Sequence, residues 1–189
     1  MVKEPRPGRV KTRLGQGIGM VPAAWWFRHR TAALIRELDD PRWQTVLAVS
    51  PDREGMTSRV WPRYLPRLAQ GPGDLGQRMA RIFRSLPPGP VMIVGGDIPG
   101  VRAGHVARAF RLLGRYDAVL GPATDGGYWA VGLKRAGAVP ARLFDGVRWS
   151  TEHAMEDTLA SLRGARVALG DTLADVDTAA DLARASRRP

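Results

Sequence analysis

The run Val91-Met92-Ile93-Val94, preceded by Pro87, Pro88, Gly89 and Pro90 and followed by Gly95-Gly96-Asp97-Ile98-Pro99-Gly100, constrains this chain most. A short continuous apolar run between turn formers reads as a strand buried on both faces, the kind at the centre of a parallel sheet. In open α/β sheets the ligand crevice lies beyond the carboxyl ends of such strands. Asp97 therefore stands where a carboxylate can hold a hard cation beside phosphate oxygens. An aspartate among glycines can equally do no more than cap a turn.

Length and composition narrow the class. A chain of 189 residues suits one domain, 1–189, with a sizeable core. No apolar stretch approaches the roughly 18 residues that span a membrane, and the N-terminus has no apolar signal core. A cytoplasmic protein without a membrane span is expected. The absence of cysteine excludes disulfides and thiolate metal sites. His29, His105 and His153 lie far apart, which argues against a histidine-rich zinc site. The net charge of +11 raises nucleic acid as a partner. The arginines are scattered without a block of like charge, so a basic nucleic-acid-binding protein is the weaker reading.

Only Lys3, Lys11 and Lys134 are lysines, and two of them share the loop Lys3–Gly15 with Arg6, Arg9 and Arg13. Clustered cations on a Pro/Gly backbone suit polyphosphate, with arginine as a fork and lysine as a point charge. A solvated basic arm would look the same. The P-loop spacing is absent.

Pro22–Leu38 reads as a helix, with Pro22 in its first turn and Ala24, Phe27, Leu34, Ile35 and Leu38 at helical spacing. Trp25 and Trp26 read as core or interface. Trp43–Ser50 reads as a strand. Pro51–Leu68 is Pro/Arg-rich and poorly periodic, with Trp61 and Tyr64 as packing anchors. Asp74, in Gln70-Gly-Pro-Gly-Asp-Leu-Gly-Gln-Arg-Met79, is a natural N-cap for a helix to about Leu86. Ala103–Leu113 reads as a helix, and Asp117–Gly121 and Tyr128–Leu133 read as strands. Between these strands Asp125 precedes Gly126-Gly127, where backbone can approach a ligand closely or simply turn. Ser150 or Thr151 caps a helix to about Leu162, and Arg166–Leu169 is a last short strand. In Asp175-Val-Asp-Thr-Ala-Ala-Asp-Leu182, Thr178 and Asp181 form a capping-box-like pair, which leaves Asp175 and Asp177 unexplained.

Six ordered motifs run from Lys3 to about Ala183: K-E-P-R-P-G-R-V-K-T-R-L, Q-G-P-G-D-L-G-Q-R-M, G-G-D-I-P, G-P-A-T-D-G-G-Y-W, W-S-T and D-V-D-T-A-A-D-L. In these the chain closely resembles the bacterial family known as domain of unknown function 2064. That family is similar to GT-A-fold glycosyltransferases, and some members carry an arsenosugar-biosynthesis label. More distantly the chain resembles 2-phospho-lactate and molybdenum-cofactor guanylyltransferases.

The resemblance implies a GT-A, nucleotide-diphospho-sugar transferase-like α/β fold: a mixed, mostly parallel sheet with helices on both faces. Its first strand is nearly absent here, since Met1–Val2 reads as the end of a strand begun upstream. It further implies a catalytic set of Asp97, Asp125 and Lys11. Lys3, Arg6, Lys11 and Arg13 would neutralise nucleotide phosphates, and Gln70, Gly73, Leu75 and Gly76 would contact base and ribose. Asp97 with Asp175 or Asp177 would hold Mg²⁺ or Mn²⁺. Asp125, Gly126 and Gly127 would face sugar or acceptor. The implied substrates are a nucleoside-diphosphate sugar, or a nucleoside triphosphate, and a small acceptor. Glycosyl transfer leads. Asp97-Ile98-Pro99, in place of Asp-x-Asp, keeps nucleotidyl transfer with pyrophosphate release as the alternative.

Overall fold

The computed structural model describes residues 1–185; residues 186–189, the end of the expected domain, lie outside them. In order the elements are β1 (Val2–Lys3), α1 (Thr12–Ile18), α2 (Met20–Glu37), β2 (Leu47–Ser50), α3 (Asp52–Thr57), β3 (Arg67–Ala69) and α4 (Leu75–Ser85). There follow β4 (Val91–Val94), α5 (Ala103–Leu113), β5 (Ala118–Pro122), β6 (Tyr128–Leu133), α6 (Ala154–Ser161), β7 (Val167–Leu169) and α7 (Ala179–Ala185). The architecture is mixed α/β, and the described residues divide into two compact units.

The first unit comprises Met1–Ala69, Gly96–Arg102 and the segment from Ala174. Its sheet is parallel, in the order β1-β2-β3, with Val2 opposite Val49 and Ala48 opposite Leu68. Leu47, Ala48 and Val49 are all buried, so β2 is covered on both faces, as a parallel strand requires. Ala24, Phe27 and Ile35 of α2 recur at helical spacing and pack with Val2, Leu47, Val49 and Trp61. Pro22 falls in the first turn of α2, where its missing N–H removes no helical bond. The helix closes at the Leu38 carbonyl, which accepts from Trp43 Nε1 and Thr45 Oγ1, both at 2.9 Å.

Three expectations are corrected in this unit. Part of the Lys3–Gly15 loop is helical, since α1 starts at Thr12 and packs on α2; a Cβ on its Gly15 would meet Met20 Sδ at 2.5 Å. The segment Pro51–Leu68 holds α3 and the start of β3. Of its two aromatic residues only Trp61 is a packing anchor; Tyr64 is exposed and its hydroxyl donates to Asp39 at 3.3 Å. On α2, Trp25 is also exposed, with His29 and Arg28 against its ring, while Trp26 packs on the core.

The second unit comprises Gln70–Gly95 and Ala103–Leu173. Its sheet is mixed, in the order β4-β6-β5-β7, with β6 antiparallel to both neighbours and β7 parallel to β5. The two-faced burial expected of Val91–Val94 is not found. Only Ile93 is buried, and β4 pairs antiparallel with β6 at the end of the order. The fully buried strand is β5, over which α5 packs. Asp74 caps α4 as expected. Gln77 N–H donates to its carboxylate at 2.8 Å, and Gln77 Oε1 accepts the Asp74 N–H at 3.1 Å, completing a capping box. Gly76, Met79, Ala80 and Phe83 give α4 one buried face. No helix among the described residues is long and apolar enough to cross a membrane.

Candidate functional site

In the first unit, two anchors on α2 hold the turn that carries Asp97. Thr31, fully buried, donates from Oγ1 to the Gly96 carbonyl at 2.8 Å, and Arg30 Nη2 donates to the Pro99 carbonyl at 2.5 Å. Ile98 and Val101 are buried on either side of Pro99. The backbone around Asp97 is thus fixed, and its side chain stays about one-third exposed, at 31%.

Lys11 reaches the same place from the N-terminal segment. It is fixed between buried Val10 and Leu14, and its carbonyl accepts the Gly15 N–H at 2.8 Å as α1 begins. Its backbone is left-handed, φ 47° and ψ 48°. A non-glycine residue there costs on the order of 1–2 kcal/mol and persists only when its surroundings enforce it. The side chain is 6% exposed, and Nζ donates to Asp97 Oδ2 and Asp177 Oδ1, each at 2.7 Å. Burial pulls the Lys11 ammonium pKa down, but Asp97 and Asp177 outweigh it and hold the group above the ordinary lysine value.

Asp177 is positioned by its own neighbourhood. Val176 beside it is buried, and the Asp177 backbone N–H donates to Asp181 Oδ2 at 3.2 Å. Asp181 also accepts from Thr178 N–H and Oγ1, both at 2.7 Å, so the expected capping pair forms. The second oxygen of Asp177 accepts from Arg13 Nη1 at 3.3 Å. Asp175 lies half-buried two residues upstream.

Of the four basic residues assigned to phosphate, Lys11 and Arg13 converge on Asp177. Arg6 pairs instead with Glu54 at 3.1 Å, and Lys3 is exposed at the end of β1. Two carboxylates aimed at one cationic atom match the donor set of Mg²⁺, which takes one or two protein carboxylates and completes its shell with waters and substrate phosphates. The residues therefore fit such an ion. Among the described residues no group of three or more Asp, Glu or His adds to the pair.

In the second unit, Gln70 is buried, and Arg81 Nη1 gathers its carbonyl at 2.7 Å and that of Pro72 at 2.9 Å. Gly73 has φ 99°, and a Cβ there would meet Gln77 Oε1 at 2.0 Å, so it is needed by the capping box. At Gly76 a Cβ would meet Phe144 and Trp149, both at 2.8 Å, whereas Leu75 is exposed at the first helical position. A groove of about 670 Å³ opens beside this turn, between Gly73, Gln77, Arg81 and Arg84 on one side and Leu143 and Asp145 on the other. Asp125 is exposed and accepts the Gly127 N–H at 3.0 Å. Gly126 has φ 87° and would bring a Cβ to 2.2 Å from the Glu152 carbonyl oxygen.

Residues 34–151 match the model of the family described as "Uncharacterized protein conserved in bacteria (DUF2064)". The chain belongs to this family. The chain is similar to a crystal structure from Desulfovibrio desulfuricans G20, of a protein provisionally assigned as a nucleotide-diphospho-sugar transferase. The two share 31% identity over 98% of this chain and 84% of that one, with a TM-score of 0.86. Two more distant structures share the fold alone. A Mycobacterium sp. strain JC1 homolog of Mycobacterium tuberculosis rv0371c is 15% identical over 84% of this chain and 80% of that one, with a TM-score of 0.53. The 4-diphosphocytidyl-2C-methyl-D-erythritol synthase of Anaerococcus prevotii DSM 20548 is 10% identical over 85% of each, also with a TM-score of 0.53. No curated protein matches the chain. The fold is thus the nucleotide-diphospho-sugar transferase-like α/β fold that the motifs imply.

Sequence reasoning missed several positioning residues of this family member. Thr31, Arg30 and Arg81 act through backbone carbonyls, which leave no motif, and Asp181 was read only as a cap. A threonine on the apolar face of α2 was the one available signal for Thr31.

Proposed function

We propose that the protein is a transferase that uses a nucleotide-activated donor, with Lys11, Asp97 and Asp177 as its phosphate and cation centre. The observation that carries this reading is Lys11 Nζ at 2.7 Å from both carboxylates, brought from three separate stretches of chain. Structural ion pairs rarely draw a lysine to 6% exposure between two aspartates, because desolvation consumes most of the Coulomb gain. Asp97 and Asp177 would hold Mg²⁺ or Mn²⁺, and the ion, when bound, would neutralise charge on the departing phosphate. Lys11 and Arg13 orient the phosphate oxygens and share that charge. Asp125 is assigned to sugar or acceptor.

The leading reaction is glycosyl transfer from a nucleoside-diphosphate sugar to a small acceptor. Nucleotidyl transfer is the second reading, and Asp97-Ile98-Pro99 favours it: one carboxylate on this turn and the other, Asp177, on a distant segment. Many arginines are bound to backbone carbonyls (Arg67, Arg81, Arg84 and Arg135 among them), which weighs against a basic surface built for nucleic acid. Incubation with candidate donors, acceptors and Mg²⁺, followed by mass spectrometry, decides the reaction. Free nucleoside diphosphate with a glycosylated acceptor supports the leading reading; pyrophosphate with a nucleotidylated product replaces it with the second.

A further inference from the structure

The two carboxylates assigned to a divalent cation already hold a cation of the chain's own. Lys11 Nζ takes Asp97 Oδ2 and Asp177 Oδ1, and Arg13 takes the other oxygen of Asp177. Mg²⁺ sits about 2.0–2.1 Å from its oxygen ligands, so an ion on these oxygens would overlap the space of the ammonium and repel its charge. A bare ion must therefore displace Lys11, whose side chain is almost wholly buried and would lose both partners at once. An anionic phosphate changes the balance, since it offers the ammonium a new partner and the ion further oxygen ligands.

We propose that Lys11 is a specificity-determining internal cation, which occupies Asp97 and Asp177 until a phosphate ligand draws it off, so that divalent cation and phosphate enter together. The proposal rests on the reading of this centre given above. Its consequence is opposite in sign to an ordinary site mutation, because removing Lys11 improves one ligand's binding while weakening the other's.

The test is calorimetric titration of the full chain with Mn²⁺ alone, no nucleotide present, on wild type, Lys11→Met, Lys11→Gln and Lys11→Met/Asp97→Asn, with folding checked by circular dichroism. Lys11→Met is expected to bind Mn²⁺ at least about tenfold more tightly than wild type, and the double variant to lose that gain. Lys11→Gln is expected to move in the same direction and gives the answer if the methionine variant does not fold. Mn²⁺ affinity equal to or weaker than wild type in the folded single variants overturns the proposal. A parallel titration of wild type with GDP, UDP, CDP and ADP in the presence of Mn²⁺ separates this inference from the functional reading. A gain for Mn²⁺ without binding of any of these nucleotides keeps Lys11 as the internal cation and removes the nucleotide. Nucleotide binding without the gain does the reverse.

Discussion

Lys11 and Asp177 stand 166 residues apart in the chain and meet at 2.7 Å, ammonium to carboxylate, with Asp97 at the same distance from the same nitrogen. Neither aspartate is held by this contact alone. Thr31 and Arg30 fix the turn that carries Asp97, and Asp181 fixes the backbone of Asp177.

Asp181 is accordingly a positioning residue. Asp181→Ala removes a cap and the anchor of Asp177, so it should lower stability by about 1 kcal/mol and weaken Mn²⁺ binding in the presence of nucleotide several-fold. Urea unfolding and calorimetry measure the two effects. A loss of stability with unchanged Mn²⁺ affinity would reduce Asp181 to a helix cap.

Asp97→Asn keeps the size of the side chain and the backbone bonds around it, so circular dichroism should show an unchanged fold. The rise in Tm given by nucleotide plus Mg²⁺, which reports binding to the folded state, should disappear. A variant stabilised as strongly as the parent would remove Asp97 from the site.

Much of this was legible in the sequence where the signal is local. Asp74 announced α4 because an N-cap is a short-range bond, and Tyr128–Leu133 is β6 residue for residue. The resemblance grouped Lys11 with Asp97 and with either Asp175 or Asp177, and the structure places Lys11 against Asp97 and Asp177. What failed was non-local. The helix α1 hides behind Gly15 and Gly17, residues that disfavour helices but here allow close approach to Met20 and Ala179. Val91–Val94 looked central because its residues are apolar, yet pairing is decided by a distant partner strand, with Val91 opposite Leu133 and Val94 opposite Ala130.

At the Asp125 turn, two substitutions should separate structure from chemistry. Gly126→Ala forces a Cβ into the Glu152 backbone at a positive φ and should cost about 2 kcal/mol or more. Asp125→Ala loses one bond to the Gly127 N–H, about 1 kcal/mol. It should spare nucleotide binding while abolishing transfer. Transfer per folded molecule equal to wild type would make Asp125 a turn residue only.

Acid should report on Asp157. Hydrogen bonds from the Arg148 side chain and N–H hold its pKa at about 2, below the ordinary 3.8. A depressed carboxylate stabilises the fold fully above its unfolded pKa and loses that contribution as pH falls toward 2. The Tm of wild type should therefore fall more steeply between pH 4 and 2 than that of Asp157→Asn. Parallel curves would contradict the assignment.

The central claim is that Lys11 meets nucleotide phosphate, and the most direct measurement compares it with a lysine of equal charge elsewhere. Lys134 Nζ donates to the Gly114 carbonyl at 3.2 Å. Calorimetric titration with nucleoside diphosphates and Mg²⁺ at physiological salt should show Lys11→Ala weakening binding at least about tenfold, and Lys134→Ala leaving it within about twofold. Equal losses in the two variants, or no binding by wild type to any of these nucleotides, would contradict the account.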